Sequence, residues 1–178
     1  MYGLVNKAVV DLVTTKFGVE AWNEIKKKAD VDIDVFISMD AYDDDITYRL
    51  VGAASEVLKL APEQVLEAFG EYWVLYTAQS YGPLLEASGR TLKEFLSNLD
   101  AMHARVAMTM PALRPPRFRL IEVDTSLMKL EYISTRKGLA PMVVGLLKGL
   151  AARFDTKVEI AHEPREGHDE FTIRVLAA

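Results

Sequence analysis

The sequence predicts an α+β fold: a helical N-terminal part, then an antiparallel sheet of about four strands with one helix between its two hairpins. Two observations carry this. Apolar residues recur every three to four positions up to about residue 110, and every second position from Arg117 onward. The alternating stretches also fall into two pairs, each closed around a short polar turn, with a long apolar run between the pairs.

The elements follow in order. Leu4, Val5, Ala8, Val9, Leu12 and Val13 share one helical face, and Gly18 is the natural stop. A second helix is expected over about Glu20 to Ala29, followed by an acidic loop, "DIDVFISMDAYDDD". The next helix runs from about Asp44 to Leu60, and Pro62 then opens another ahead of "EQVLEAFGEYWVLYTAQS". "YGPLLEASG" reads as a short helix or turn. Thr91 and Glu94 have capping-box spacing and start one helix through "LKEFLSNLDAMHARVAMTM", ending before Pro111. "RFRLIEV" and "LMKLEYIST" form the first hairpin around "DTS". "LAPMVVGLLKGLAARF" is a helix apolar nearly all round, hence buried. "TKVEIAH" and "EFTIRVL" form the second hairpin around "EPREGHD".

The chain has 178 residues, enough for one domain with a sizeable core. A net charge of −5 gives no basic surface for nucleic acid or an anionic membrane. No stretch is apolar over the roughly 18 residues that a membrane-spanning helix needs, because Lys148 and Arg153 interrupt the most apolar one. With no cysteine, the chain has no disulfide, no thiolate metal site, no catalytic thiol and no thioether-linked haem. The opening lacks the pattern of a signal peptide, and a cytoplasmic location is expected.

Few residues suggest chemistry. His103 lies four residues after Leu99 and three before Val106, on the apolar stripe of its helix. That position suits a core histidine satisfied by a backbone carbonyl, or a lone imidazole ligand aimed into a dry cavity. Tyr132, Ser134 and Arg136 are spaced by two. On a strand they would point the same way in a row roughly 13 Å long, two hydroxyls and a guanidinium suited to a pair of carboxylates or a phosphate. A salt-bridged surface strand would look similar. Pro115 and Pro116 form a rigid connector, or set a proline against a flat ligand. His162 and His168 flank the last turn in a charged setting, and read as solvated turn residues more readily than as a two-histidine metal site. Gly145 and Gly149 suggest close helix contact. No nucleophile with its base and no phosphate-cradling glycine loop is present, so enzyme signals are weak.

Taken in order and at this spacing, His103, "LRPPRF" and Tyr132-x-Ser134-x-Arg136 resemble the H-NOX family of bacterial haem nitric oxide/oxygen binding proteins and the haem domain of soluble guanylate cyclase. The resemblance extends from "MYGLVNKAV" through "VGAASEVL", "EAFGEYWVLYT" and "NLDAMHARV" to "EYISTRKGLAPMVVGLLKGL", and is strongest toward stand-alone cyanobacterial-type members. It implies one domain holding a non-covalent haem b (iron protoporphyrin IX) between a distal helical subdomain, residues 1–62, and a proximal subdomain, residues 63–178. It makes His103 the proximal iron ligand, gives Tyr132, Ser134 and Arg136 to the haem propionates, and sets Pro116 against the macrocycle. Val5, Trp73, Pro141 and Met142 match positions that line the haem pocket, the first two on the side where gas binds.

Oxygen-holding members carry a tyrosine five residues after the motif arginine, where this chain has Pro141. Bound O2 gains from a hydrogen-bond donor and NO gains much less, so the pocket is expected to favour nitric oxide and carbon monoxide. Trp73 is the one distal donor in question. The resemblance implies a non-enzymatic sensor: NO weakens the iron–His103 bond, the two parts shift, and a partner responds, in bacterial members mostly a histidine kinase or a diguanylate cyclase. An oxygen-binding or NO-scavenging haem protein, and a haem-free interaction domain, are the alternative readings.

Overall fold

The computed structural model describes residues 1–177. It contains six helices and a four-stranded antiparallel open sheet of order β1-β2-β4-β3. The helices are α1 (Gly3–Lys28), α2 (Asp44–Leu58), α3 (Pro62–Ala87), α4 (Leu92–Ser97), α5 (Leu99–Thr109) and α6 (Ala140–Arg153). The strands are β1 (Arg117–Glu122), β2 (Leu127–Ile133), β3 (Val158–Arg165) and β4 (His168–Val175). The α+β architecture therefore matches the expectation, including two breaks inside the long helices, with two local corrections at Asn98 and in the second hairpin.

At Gly18 the backbone leaves helical geometry, φ 88° and ψ 168°, so the expected stop is there, and the expected second helical segment follows it within α1. "YGPLLEASG" is set off from the rest of α3 by a kink at Tyr81 (φ −125°, ψ 23°), and with Pro83 inside it forms the short helical segment expected. The single helix expected over 92–110 is two. Asn98 leaves helical geometry (φ −100°, ψ 3°), and its Nδ2 donates to the Ser88 carbonyl at 2.9 Å, a bond a straight helix would forgo. The second hairpin is longer than expected: β3 and β4 continue to Arg165 and His168, so His162 and His168 lie on strands around a two-residue turn.

Two apolar clusters organise these elements. One lies between the inner face of the sheet and α3, α4 and α6, with Leu130, Phe171 and Ile173 fully buried. The other joins α1, α2 and the start of α3 around Ile25, Leu50 and Phe69. α3 therefore serves both. It also crosses α6 very closely: a Cβ at Gly145 would come 2.0 Å from the Glu67 carbonyl oxygen, so only glycine allows this approach.

Candidate functional site

A cavity of about 310 Å3 lies where the two clusters meet. Both parts wall it: Val5 of α1, Thr47, Tyr48 and Val51 of α2, Trp73 of α3, His103 of α5, Pro116, Tyr132, Ser134 and Arg136 all face it. The lining is overwhelmingly aliphatic and aromatic, and Tyr48, Tyr132, Ser134 and Arg136 give it a polar edge. Such a space suits a flat apolar ligand with a polar edge.

His103 is held on α5 by the residues around it. Asp100, one turn earlier, accepts from the Phe118 backbone N–H at 2.7 Å and so ties α5 to the first residues of β1. The His103 ring lies against Phe118, centroids 5.8 Å apart, and Phe118 in turn against Tyr132 at 5.4 Å. Its Nδ1 is buried without a hydrogen-bond partner. Burial pushes the His103 pKa below its ordinary value; Asp100 and the nearby Pro116 carbonyl oppose this without restoring it. The carbonyl is near enough to act on the ring but does not close a hydrogen bond. Leaving the buried Nδ1 without a partner costs roughly 1–3 kcal/mol, and the ring as a whole lines the apolar cavity.

The polar rim is assembled differently. Tyr132 is on the inward face of β2, but the strand ends at Ile133, and Ser134 and Arg136 sit in the turn that follows. The expected straight comb is thus a strand residue plus two turn residues, and the turn curls them onto the same cavity. The Ser134 hydroxyl accepts from the Arg136 backbone N–H at 3.1 Å, which fixes that turn. The Arg136 guanidinium spans to α2, donating to Asp44 Oδ2 at 2.6 Å, and also donates to the Arg114 carbonyl at 2.8 Å. Burial pushes the Asp44 carboxyl up, but Arg136 and the terminal amine of Met1 outweigh it and hold it below the usual carboxylate range. Tyr48 donates to the Lys137 carbonyl at 3.0 Å. Burial raises the pKa of Tyr48 and Tyr132, so both remain hydroxyl donors.

The opposite wall carries Val5, Trp73 and Met142, with Leu139 and Leu146 beside them. Pro141 is in the first turn of α6 and is not part of the cavity wall, so the donor-poor surface there belongs to its neighbours. Trp73 makes no hydrogen bond through its indole N–H among the described residues, and stacks on Tyr76.

Tyr48, Asp44 and Arg114 were not singled out by the sequence. Asp44 and Tyr48 are four apart at the start of α2, a weak signal that two polar groups share a face. His162 and His168 lie outside the site: His162 pairs with Asp169 at 2.7 Å and stacks on Phe171, and His168 turns toward the Glu166 carbonyl. Among the described residues no cluster of three or more His, Asp or Glu gathers to hold a metal ion. No described helix is long and apolar enough to cross a membrane.

Comparison with known proteins places this geometry in context. A family model described as Haem-NO-binding matches residues 2–162. The chain is 31% identical over 172 residues to the soluble guanylate cyclase gcy-35 of Caenorhabditis elegans, covering 93% of this chain and 25% of that protein. It is 37% identical over 101 residues to the soluble guanylate cyclase subunit beta-2 of Rattus norvegicus, covering 56% of this chain and 15% of that protein. The chain therefore spans a quarter or less of the length of these two relatives. Among solved structures, an H-NOX protein from S. oneidensis in the Fe(II)NO ligation state superposes with a TM-score of 0.91 at 21% identity, covering 99% of this chain and 100% of that one. The Fe(II) unliganded H-NOX protein from K. algicida superposes with a TM-score of 0.87 at 23% identity, covering 100% and 98%.

Proposed function

The chain belongs to the haem-NO-binding family, and from that membership we propose that it is a gas-sensing module that holds a non-covalent b-type haem through His103 and responds to nitric oxide. The observation that carries this reading is an apolar cavity lined both by His103, whose pKa burial lowers, and by Tyr132, Ser134 and Arg136. Those residues fit the group: an imidazole for iron, two hydroxyls and a guanidinium for two propionates, apolar walls for the macrocycle. When bound, haem would supply an iron centre able to take a diatomic gas, with His103 as its protein ligand.

The rest is done by the chain. Pro116 and Phe118 press beside His103 and fix the angle at which it meets the cavity. Val5 and Met142 keep the gas side apolar, which favours NO and CO over O2, and Trp73 is the residue there that carries an N–H donor. In this reading a distal part, residues 1–62, and a proximal part, residues 63–178, meet at the cavity, which is supported by α3 contributing to both apolar clusters. Asp100, one turn before His103, ties α5 to β1, so a displacement of α5 would be passed to the sheet. Arg136–Asp44 and Tyr48–Lys137 join the parts at the rim. A shift there alters the surface shown to a partner enzyme, a histidine kinase or a diguanylate cyclase in this reading, while the chain performs no catalysis itself.

The test is spectroscopic. The haem-loaded protein should show a Soret band. After reduction, NO should abolish the iron–His103 stretching vibration, CO should preserve ligation by His103, and air should leave no long-lived oxy spectrum. An oxy complex stable for hours would sink NO selectivity and point to Trp73 as a distal donor. A colourless protein that takes up no haem would sink the sensor reading altogether.

A further inference from the structure

α3 carries aromatic rings that, Trp73 apart, the gas-sensing reading does not use. Phe69, Tyr72, Trp73 and Tyr76 fall on one helical stripe. Trp73 faces the cavity. Its ring stacks with Tyr76, centroids 6.4 Å apart and planes inclined by 27°. Tyr76 lies 6.2 Å from Tyr72, inclined by 34°. The Tyr72 hydroxyl donates to Asp11 on α1. Indole and phenol are the side chains that lose one electron most readily, and successive rings in near contact pass such a hole along.

We propose that Trp73, Tyr76 and Tyr72 form a hole-transfer chain that carries an oxidising equivalent out of the haem cavity, with Asp11 receiving the tyrosine proton. The inference rests on the haem reading above. Its distinguishing feature is Asp11. A phenol that loses an electron becomes a strong acid and must shed its proton, so a tyrosine serves as the end of a hole chain only beside a base. Tyr48 donates to a backbone carbonyl, and the hydroxyls of Tyr2 and Tyr42 accept backbone N–H groups. Among the described residues, Tyr72 is the tyrosine whose hydroxyl donates to a carboxylate. Burial and that bond push its pKa up to about 12, so it enters the reaction as a neutral phenol.

The step balances with hydrogen peroxide as oxidant. Reduction of one peroxide to two waters takes two electrons and two solvent protons. Ferrous haem iron gives one electron. Tyr72 gives the other through Tyr76 and Trp73, its O–H bond breaks, and the proton passes to Asp11 Oδ2. The products are ferric haem, a neutral Tyr72 radical and protonated Asp11. The benefit to the chain is that oxidising damage is drawn away from the haem and from the cavity walls.

The experiment mixes the reduced, haem-loaded protein with hydrogen peroxide, freezes it within milliseconds and records the electron paramagnetic resonance spectrum, with ring-deuterated tyrosine to identify a tyrosyl signal. A Soret band before mixing checks the haem reading separately; its absence would end both proposals. The unaltered protein should give a tyrosyl radical. Tyr72→Phe and Trp73→Phe should remove most of it, and Asp11→Asn should slow its appearance about tenfold, the rate equivalent of one charge-assisted hydrogen bond. Haem bleaching should quicken in the same three variants, while Tyr81→Phe, outside the chain, should keep the signal. No tyrosyl radical from the haem-loaded protein, or an undiminished one in both Tyr72→Phe and Trp73→Phe, would overturn the proposal and leave the stripe as packing.

Discussion

The two ends of the cavity are polar in opposite ways. At His103 a buried ring nitrogen has no partner. At the rim Arg136 is already satisfied, by Asp44 at 2.6 Å and the Arg114 carbonyl at 2.8 Å. The other ring nitrogen makes no hydrogen bond among the described residues either, so a ligand atom reaching it gains an interaction where none existed, on an imidazole whose pKa burial lowers. A carboxylate reaching Arg136 must share or displace Asp44, and gains only the difference between two ion pairs. Ligand affinity should therefore reside mainly at the histidine end, and the rim should set orientation and exchange rate.

Breaking the histidine end should have the largest effect. His103→Gly should abolish haem retention through desalting unless imidazole is supplied, and imidazole should restore the ferrous spectrum. Retention of an unchanged spectrum without imidazole would mean that the iron is held elsewhere and that the contrast between the ends is false. At the rim, Arg136→Ala should accelerate haem transfer to an apo-globin acceptor by roughly 10- to 100-fold, since a charge-assisted bond contributes about 1.5–3 kcal/mol. The fold should survive, because the clusters around Leu130 and Leu50 do not include Arg136. If Arg136→Ala matched His103→Gly in severity, the rim would be the anchor and the ordering would reverse.

The same contrast governs what the sequence reveals. His103 is legible because its signal is local: a polar ring on an apolar stripe at spacings of three and four. Tyr132, Ser134 and Arg136 are legible as a set, but their straight geometry is not, since the strand stops at Ile133 and the turn bond between Ser134 and Arg136 bends the rest. Asp44 and Tyr48 reach their partners across sequence separations of 92 and 89 residues, and nothing within α2 announces that. The break at Asn98 is hidden for the same reason, because it rests on the Ser88 carbonyl of a preceding element. Pro141 shows the reverse failure: its identity is informative by resemblance, yet the side chains that wall the cavity are those of Leu139 and Met142.

The smallest effect sharpens the comparison most, because it separates the two ends by pH. Asp44 has its folded-state pKa lowered, by Arg136 and the Met1 amine against the opposing effect of burial. A lowered carboxylate contributes stability that is fully present above its unfolded value and is lost as pH falls through the folded value. The haem-free protein should therefore be less stable as Asp44→Asn by about 1 kcal/mol or less at pH 7, the range for a partly exposed ion pair. That deficit should vanish as pH drops below the ordinary carboxylate value of about 3.9. His103 works the other way. Its pKa is lowered below the usual imidazole value, so the folded protein resists protonating it and stability falls as pH drops below about 6.5. Thermal unfolding of the haem-free protein and of Asp44→Asn between pH 7 and pH 3 reads both. The loss near pH 6 should be common to the two proteins, and the gap between them should close only at the acid end. A gap that instead closed near pH 6 would couple the rim to the imidazole. The ends of the cavity would then titrate as one unit, and the division of labour between His103 and Arg136 would fail.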